Sequence, residues 1–88
     1  MSKTVSLTIN KNLAEITMDD GKANVLSHSM LEQLEKAFDA AENEKNIILL
    51  RGREVLFSGG FDLKEISKGP KEAIALTTRG SQFARRII

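Results

Sequence analysis

Four consecutive apolar residues, Ile47-Ile48-Leu49-Leu50, set the strongest constraint on how this chain folds. A half-exposed strand alternates apolar with polar residues, whereas a strand buried on both faces, as in a parallel sheet, reads as a continuous apolar run. Polar residues from Asn43 to Asn46 lead into the run, and Arg51-Gly52-Arg53-Glu54 closes it. It therefore predicts a strand that needs a covering layer on each side. The chain has 88 residues with which to build those layers. At that size only roughly 60–65% of the unfolded surface is buried on folding.

The residues before the run show two different periods. Val5, Leu7 and Ile9 alternate with Thr4, Ser6, Thr8 and Asn10, and Ala14, Ile16 and Met18 alternate with Glu15 and Thr17. Period two predicts half-buried strands, and the polar Asn10-Lys11-Asn12 between them predicts an antiparallel hairpin. Asp19-Asp20-Gly21-Lys22 breaks the pattern as a loop. From about Ser27 to Asn43 the period becomes helical, with Met30, Leu31, Leu34, Ala37, Phe38 and Ala41 on one face. Ser27 or Ser29 can cap that helix, and Ser29 with Glu32 has the capping-box spacing.

After the run, Val55-Leu56-Phe57 is a short apolar stretch leading into Ser58-Gly59-Gly60-Phe61-Asp62. Asp62 can cap a short helix that ends near Lys68-Gly69. Pro70 suits the first turn of a last helix carrying Ala73, Ile74, Leu76, Thr77, Phe83 and Ala84. Gly80 is a weak point in the middle of that helix. The fold class is α/β, in one unit over residues 1–88.

Composition removes several functions. Thirteen Lys and Arg against twelve Asp and Glu give a net charge of +1, too little field to draw in nucleic acid. Without Trp or Tyr, and with four Phe, stacking platforms for single strands are not expected. The absence of Cys excludes disulfides and cysteine metal sites, and the single His28 excludes a two-histidine site. No apolar run approaches the roughly 18 residues of a membrane span. The first 14 residues lack acids and are rich in Ser and Thr, as in a transit peptide, but they contain no Arg and alternate like a strand. A cytoplasmic protein is expected.

Gly59-Gly60 is the most informative spot for chemistry. Glycine permits positive φ and lets a second molecule approach the backbone. Amides at a turn and helix start suit an anion or a developing oxyanion. The same pair also serves as a plain tight connection, which spacing alone favours. No nucleotide-binding glycine fingerprint is present. His28 reads as a surface histidine near a helix start, Asp19-Asp20 as solvated loop acids rather than a cation site, and Arg79, Arg85 and Arg86 as a solvated helix face rather than a phosphate grip. No metal site is expected.

The run Val55 to Ile66, VLFSGGFDLKEI, resembles the signature of the crotonase superfamily, the enoyl-CoA hydratase/isomerase group. SLTINKNLAEITMDD resembles the family's opening strands, Lys22-Ala23-Asn24-Val25-Leu26-Ser27 its K-A-N-A-L-S segment, and IILLRG the strand that follows its first helix. The resemblance covers essentially the whole chain. It implies the N-terminal part of a crotonase-like ββα spiral, with an antiparallel hairpin, a buried strand and flanking helices.

The resemblance also implies chemistry. Family members bind acyl-CoA thioesters and stabilise an enolate at the thioester carbonyl with two backbone N–H groups. The first donor corresponds to Phe61, which makes Phe61 the catalytic candidate. Ser58, Gly59, Gly60, Phe61, Asp62, Leu63 and Lys64, together with Lys22 and Ala23, are candidate coenzyme A contacts. Coenzyme A enters as part of the substrate, with no covalently bound cofactor, and relatives assemble as homo-oligomers. A side-chain change at Phe61 keeps the N–H and is expected to alter pocket shape more than electrostatics.

The hydratases use two glutamates as acid and base, and none of Glu15, Glu32, Glu35, Glu42, Glu44, Glu54, Glu65 or Glu72 matches them. The second donor has no match either. Two functions follow as expectations. One is part of an acyl-CoA enzyme of the hydratase/isomerase type, inactive as 88 residues alone. The alternative is a non-catalytic crotonase fragment that acts as a self-associating or binding module, its apolar Ile47–Leu50 and Ile87-Ile88 covered by other copies.

Overall fold

A computed structural model describes residues 4–43, 47–54 and 56–87. Val55, Ile88 and the polar exit at Glu44, Lys45 and Asn46 lie outside the described residues. β1 (Val5–Asn10) and β2 (Leu13–Met18) form the expected hairpin, in register from Val5 opposite Met18 to Asn10 opposite Leu13. Lys11, in the turn, adopts φ 58°. The short strand β3 (Val25–Leu26) leads into helix α1 (His28–Asn43). β4 (Ile47–Arg51) then returns parallel to β2, so the sheet runs β1-β2-β4. A second, two-stranded sheet joins β3 to β5 (Gly60–Phe61), also in parallel. Helices α2 (Leu63–Ile66) and α3 (Pro70–Ile87) follow.

Periodicity dictates the core. Ala14, Ile16 and Met18 of the central strand are buried against Met30, Leu31, Leu34, Ala37, Phe38 and Ala41, the six residues of the α1 stripe. α3 closes the core with Leu76 and Phe83, and the Phe83 ring meets Phe38 edge-on at 4.9 Å. Gln33 fastens α1 to the start of β1, its Oε1 accepting the N–H groups of Thr4 (3.0 Å) and Val5 (3.1 Å). The helix cap is Ser27, whose Oγ accepts the Met30 N–H at 3.1 Å. Ser29 lies inside the first turn, where its backbone is already helical, so the capping-box assignment does not hold.

Two expectations need correction. β4 is parallel but not buried on both faces. Ile48 and Leu50 pack on the core, while Ile47 is 71% exposed and Leu49 40%. β4 ends the sheet, and among the described residues no layer covers its outer face. In α3, the buried positions are Leu76, Gly80 and Phe83, and Ile74 points outward, 65% exposed. Gly80 is therefore not only a weak point of helix propensity. It is a buried surface on which another side chain rests.

Candidate functional site

Two chain segments, 22–26 and 58–64, meet along the second sheet. Val25 pairs with Gly60 and Leu26 with Phe61. Single bonds extend the seam at both ends: the Gly59 N–H donates to the Ala23 carbonyl at 2.6 Å, and the Asp62 N–H to the Leu26 carbonyl at 3.1 Å. The Ser58 hydroxyl donates to the Asn24 carbonyl at 2.8 Å and accepts the Gly60 N–H at 3.1 Å. All nine candidate residues therefore fall in one local assembly, although they come from segments more than thirty residues apart.

The glycines fit their positions for different reasons. Gly60 adopts φ 94° with open space where a side chain would be, so the strain of a non-glycine residue is conformational. At Gly59 a Cβ would fall 3.1 Å from the Ala23 carbonyl oxygen, so here close backbone approach is the constraint. Asp62 caps α2, its Oδ1 accepting the Lys64 N–H at 2.9 Å. Leu63 and Lys64 stand in the first turn of α2 and are exposed, Leu63 at 76%. Phe61 is half-buried and packs against the core from its edge.

Lys22 and Ala23 are held by a tightly knit loop. Asp19 Oδ1 accepts the Gly21 N–H at 2.8 Å, and Asp20 Oδ1 accepts those of Lys22 (2.7 Å) and Asn24 (3.0 Å). Burial alone would push the Asp20 carboxyl up. The N–H donors of Asn24, Lys22 and Val25, with the charge of Arg53, outweigh it and hold Asp20 below the usual carboxylate range. These two acids organise the loop, and among the described residues no three His, Cys, Asp or Glu side chains converge on a metal position. Arg53 donates to the Lys22 carbonyl and pairs with Asp19 at 3.4 Å.

Sequence reasoning missed Asn24 as the hub of this loop. It is fully buried and adopts φ 51°. Its Nδ2 donates to the Met18 (2.9 Å) and Phe57 (3.0 Å) carbonyls, and its Oδ1 accepts the Asp20 N–H at 2.9 Å. An asparagine after a D-D-G loop was the available signal, since Asn tolerates the left-handed region better than other side-chain-bearing residues.

Of the three α3 arginines expected on a solvated face, Arg79 and Arg86 instead reach acids of α1. Arg79 holds Glu35 with two bonds, at 2.9 and 3.3 Å, and its Nη1 lies 3.3 Å from His28 Nδ1. The Glu35 hydrogen bond raises the Arg79 pKa. Arg86 reaches Asp39 at 3.0 Å and Glu42, and its guanidinium lies 5.6 Å from the Phe38 ring centre. Hydrogen bonding to Glu42 likewise raises its pKa. His28 is half-buried between the helices rather than a free surface residue. Arg85 is exposed, as expected.

Residues 8–85 match the sequence model of the family described as enoyl-CoA hydratase/isomerase. A protein of Bacillus subtilis named a probable enoyl-CoA hydratase is 33% identical over 87 residues, covering 94% of this chain and 34% of its own length. The apo structure of an enoyl-CoA isomerase from Mycobacterium tuberculosis superposes with a TM-score of 0.90 at 38% identity, covering 98% of this chain and 38% of that one. An enoyl-CoA hydratase/isomerase family protein from Pseudomonas syringae superposes at 0.91 with 34% identity, over 94% of this chain and 36% of that one. The chain thus spans about a third of the length of these relatives. The fold is that of the crotonase superfamily, and the chain belongs to the enoyl-CoA hydratase/isomerase family.

Proposed function

We propose that the chain supplies one oxyanion donor, the Phe61 N–H, and part of a coenzyme A cradle to an acyl-CoA enzyme of the hydratase/isomerase type. The observation that carries this reading is the β3–β5 seam, which aligns the backbone of residues 22–26 with the glycine turn at 59–60. A thioester carbonyl set against Phe61 would meet a backbone that glycine leaves unobstructed on the Gly60 side. Lys22, Ala23, Ser58, Gly59, Gly60, Asp62, Leu63 and Lys64 would line the path of the coenzyme. The exposed Leu63 offers apolar surface, and the Lys22 and Lys64 ammonium groups offer charge to phosphates. Coenzyme A would arrive as part of the substrate.

The test is calorimetric titration of the folded chain with acetoacetyl-CoA. Binding is expected, and its absence in a demonstrably folded sample contradicts the reading. With crotonyl-CoA no hydration is expected from the 88 residues, because the chain carries one donor and no matching acid and base.

A second reading has its own observation. Ile47 and Leu49 are exposed on the edge strand, and an open apolar groove lies between Phe38, Ile48, Leu50, Phe57 and Ile87. These surfaces favour a self-associating module. Sedimentation at micromolar concentration separates the readings: a clean monomer that binds acetoacetyl-CoA supports the first alone.

A further inference from the structure

Of the three residues that form the turn and donor, Gly59, Gly60 and Phe61, only Phe61 has a side chain. Gly60 at φ 94° is a permissive joint directly before the donor. The donor is therefore anchored on one side by the β3 seam and on the other by whatever holds the Phe61 ring. That ring rests on the buried backbone of Gly80 in α3. A Cβ at position 80 would fall 2.6 Å from Phe61 Cζ and closer still to Cε1, so no other residue fits beneath the ring as it stands. The next residue back, Arg79, fixes the height of that surface by its paired bonds to Glu35 of α1 and its approach to His28, two residues after β3.

We propose that Gly80 is a positioning residue: its bare backbone seats the Phe61 ring, and the seated ring sets where the Phe61 N–H points. This rests on the reading of Phe61 as an oxyanion donor. It adds that the side chain at 61, and not only its amide, contributes to recognition of the thioester carbonyl. Placement matters because a donor displaced by about 1 Å forfeits on the order of a hundredfold in a reaction that depends on it.

Binding of acetoacetyl-CoA and of free coenzyme A is measured calorimetrically for the full chain, Phe61→Ala and Gly80→Ala. Hydrogen exchange of the Asp62 N–H, bonded to Leu26, is followed in the ligand-free proteins. Both variants are expected to lower the preference for the thioester over free coenzyme A about tenfold and to speed Asp62 exchange. A purely structural role would weaken both ligands equally, and that result overturns the proposal. So does unchanged Asp62 exchange in both variants, whatever the ligands do. If the wild-type chain shows no thioester preference, the oxyanion reading falls, and the exchange arm still decides whether the ring and Gly80 hold the turn. Should Gly80→Ala fail to fold, Phe61→Ala carries both readouts without any steric clash.

Discussion

Asn24 Nδ2 donates to the carbonyl of Phe57 at 3.0 Å, tying the loop before β3 to the last residue before the Ser58-Gly59-Gly60 turn. The bond spans 33 positions in sequence and sits beside the Ala23–Gly59 contact. One buried amide thus adds to the backbone seam and the Ser58–Asn24 bond that join the two site segments.

Replacing that amide tests its role. Asn24→Ala removes a donor from two carbonyls and an acceptor from the Asp20 N–H, at a position with φ 51°. A loss of about 2–4 kcal/mol in urea-unfolding stability is expected, from unsatisfied buried groups and left-handed strain. A loss under about 0.5 kcal/mol would mean that Asn24 is incidental, since surface substitutions commonly fall in that range.

The aromatic contact between α1 and α3 should be strongly stabilising. Phe83 is 6% exposed and meets Phe38 at an interplanar angle of 75°. Phe83→Ala should cost about 3–5 kcal/mol, read as a lowered urea midpoint with an unchanged slope. Because α3 carries Gly80, the same change should also loosen the Phe61 seat.

Acid should weaken the loop through Asp20. Its folded-state pKa lies below the ordinary 3.8, held there by backbone donors and Arg53 against the opposing effect of burial. Its contribution to stability is therefore complete above that ordinary value and is lost as the pH falls through the lower folded value. Asp20→Asn should lower stability at neutral pH and reduce the steepness of the acid limb below about pH 4, followed by circular dichroism against pH. An acid limb identical to wild type would show that other carboxylates dominate.

The outer face of β4 makes a prediction about assembly. Ile47 and Leu49 are exposed on an edge strand, the position from which strands pair between chains. Sedimentation of the chain should give a mass above the 9.7 kDa of one copy, and Leu49→Lys should shift it toward the monomer. A wild-type monomer across micromolar concentrations would contradict the self-associating reading.

Much of this molecule was legible in its sequence because the signals were local. The hairpin followed from the alternation at Val5–Ile9 and Ala14–Met18, and the buried face of α1 from its helical stripe. The Asp62 cap and the Pro70 helix start were equally local. The seam between Val25-Leu26 and Gly60-Phe61 was not legible, because two-residue strands carry no periodicity and depend on long-range contact. Gly80 read as a helix defect because the ring that occupies its surface lies nineteen positions away, a distance fixed by packing alone. Ile47 and Leu49 read as buried because an apolar run records a preference for cover and does not supply the cover.

The most direct test of the central claim is a titration of ¹⁵N-labelled chain with acetoacetyl-CoA, and separately with free coenzyme A, following backbone amides by NMR. Both ligands should move amides in residues 22–23 and 62–64, and the Phe61 amide should respond strongly to acetoacetyl-CoA and weakly to free coenzyme A. A folded chain whose Phe61 amide responds to neither ligand, or equally to both, would contradict the assignment of that N–H as the oxyanion donor.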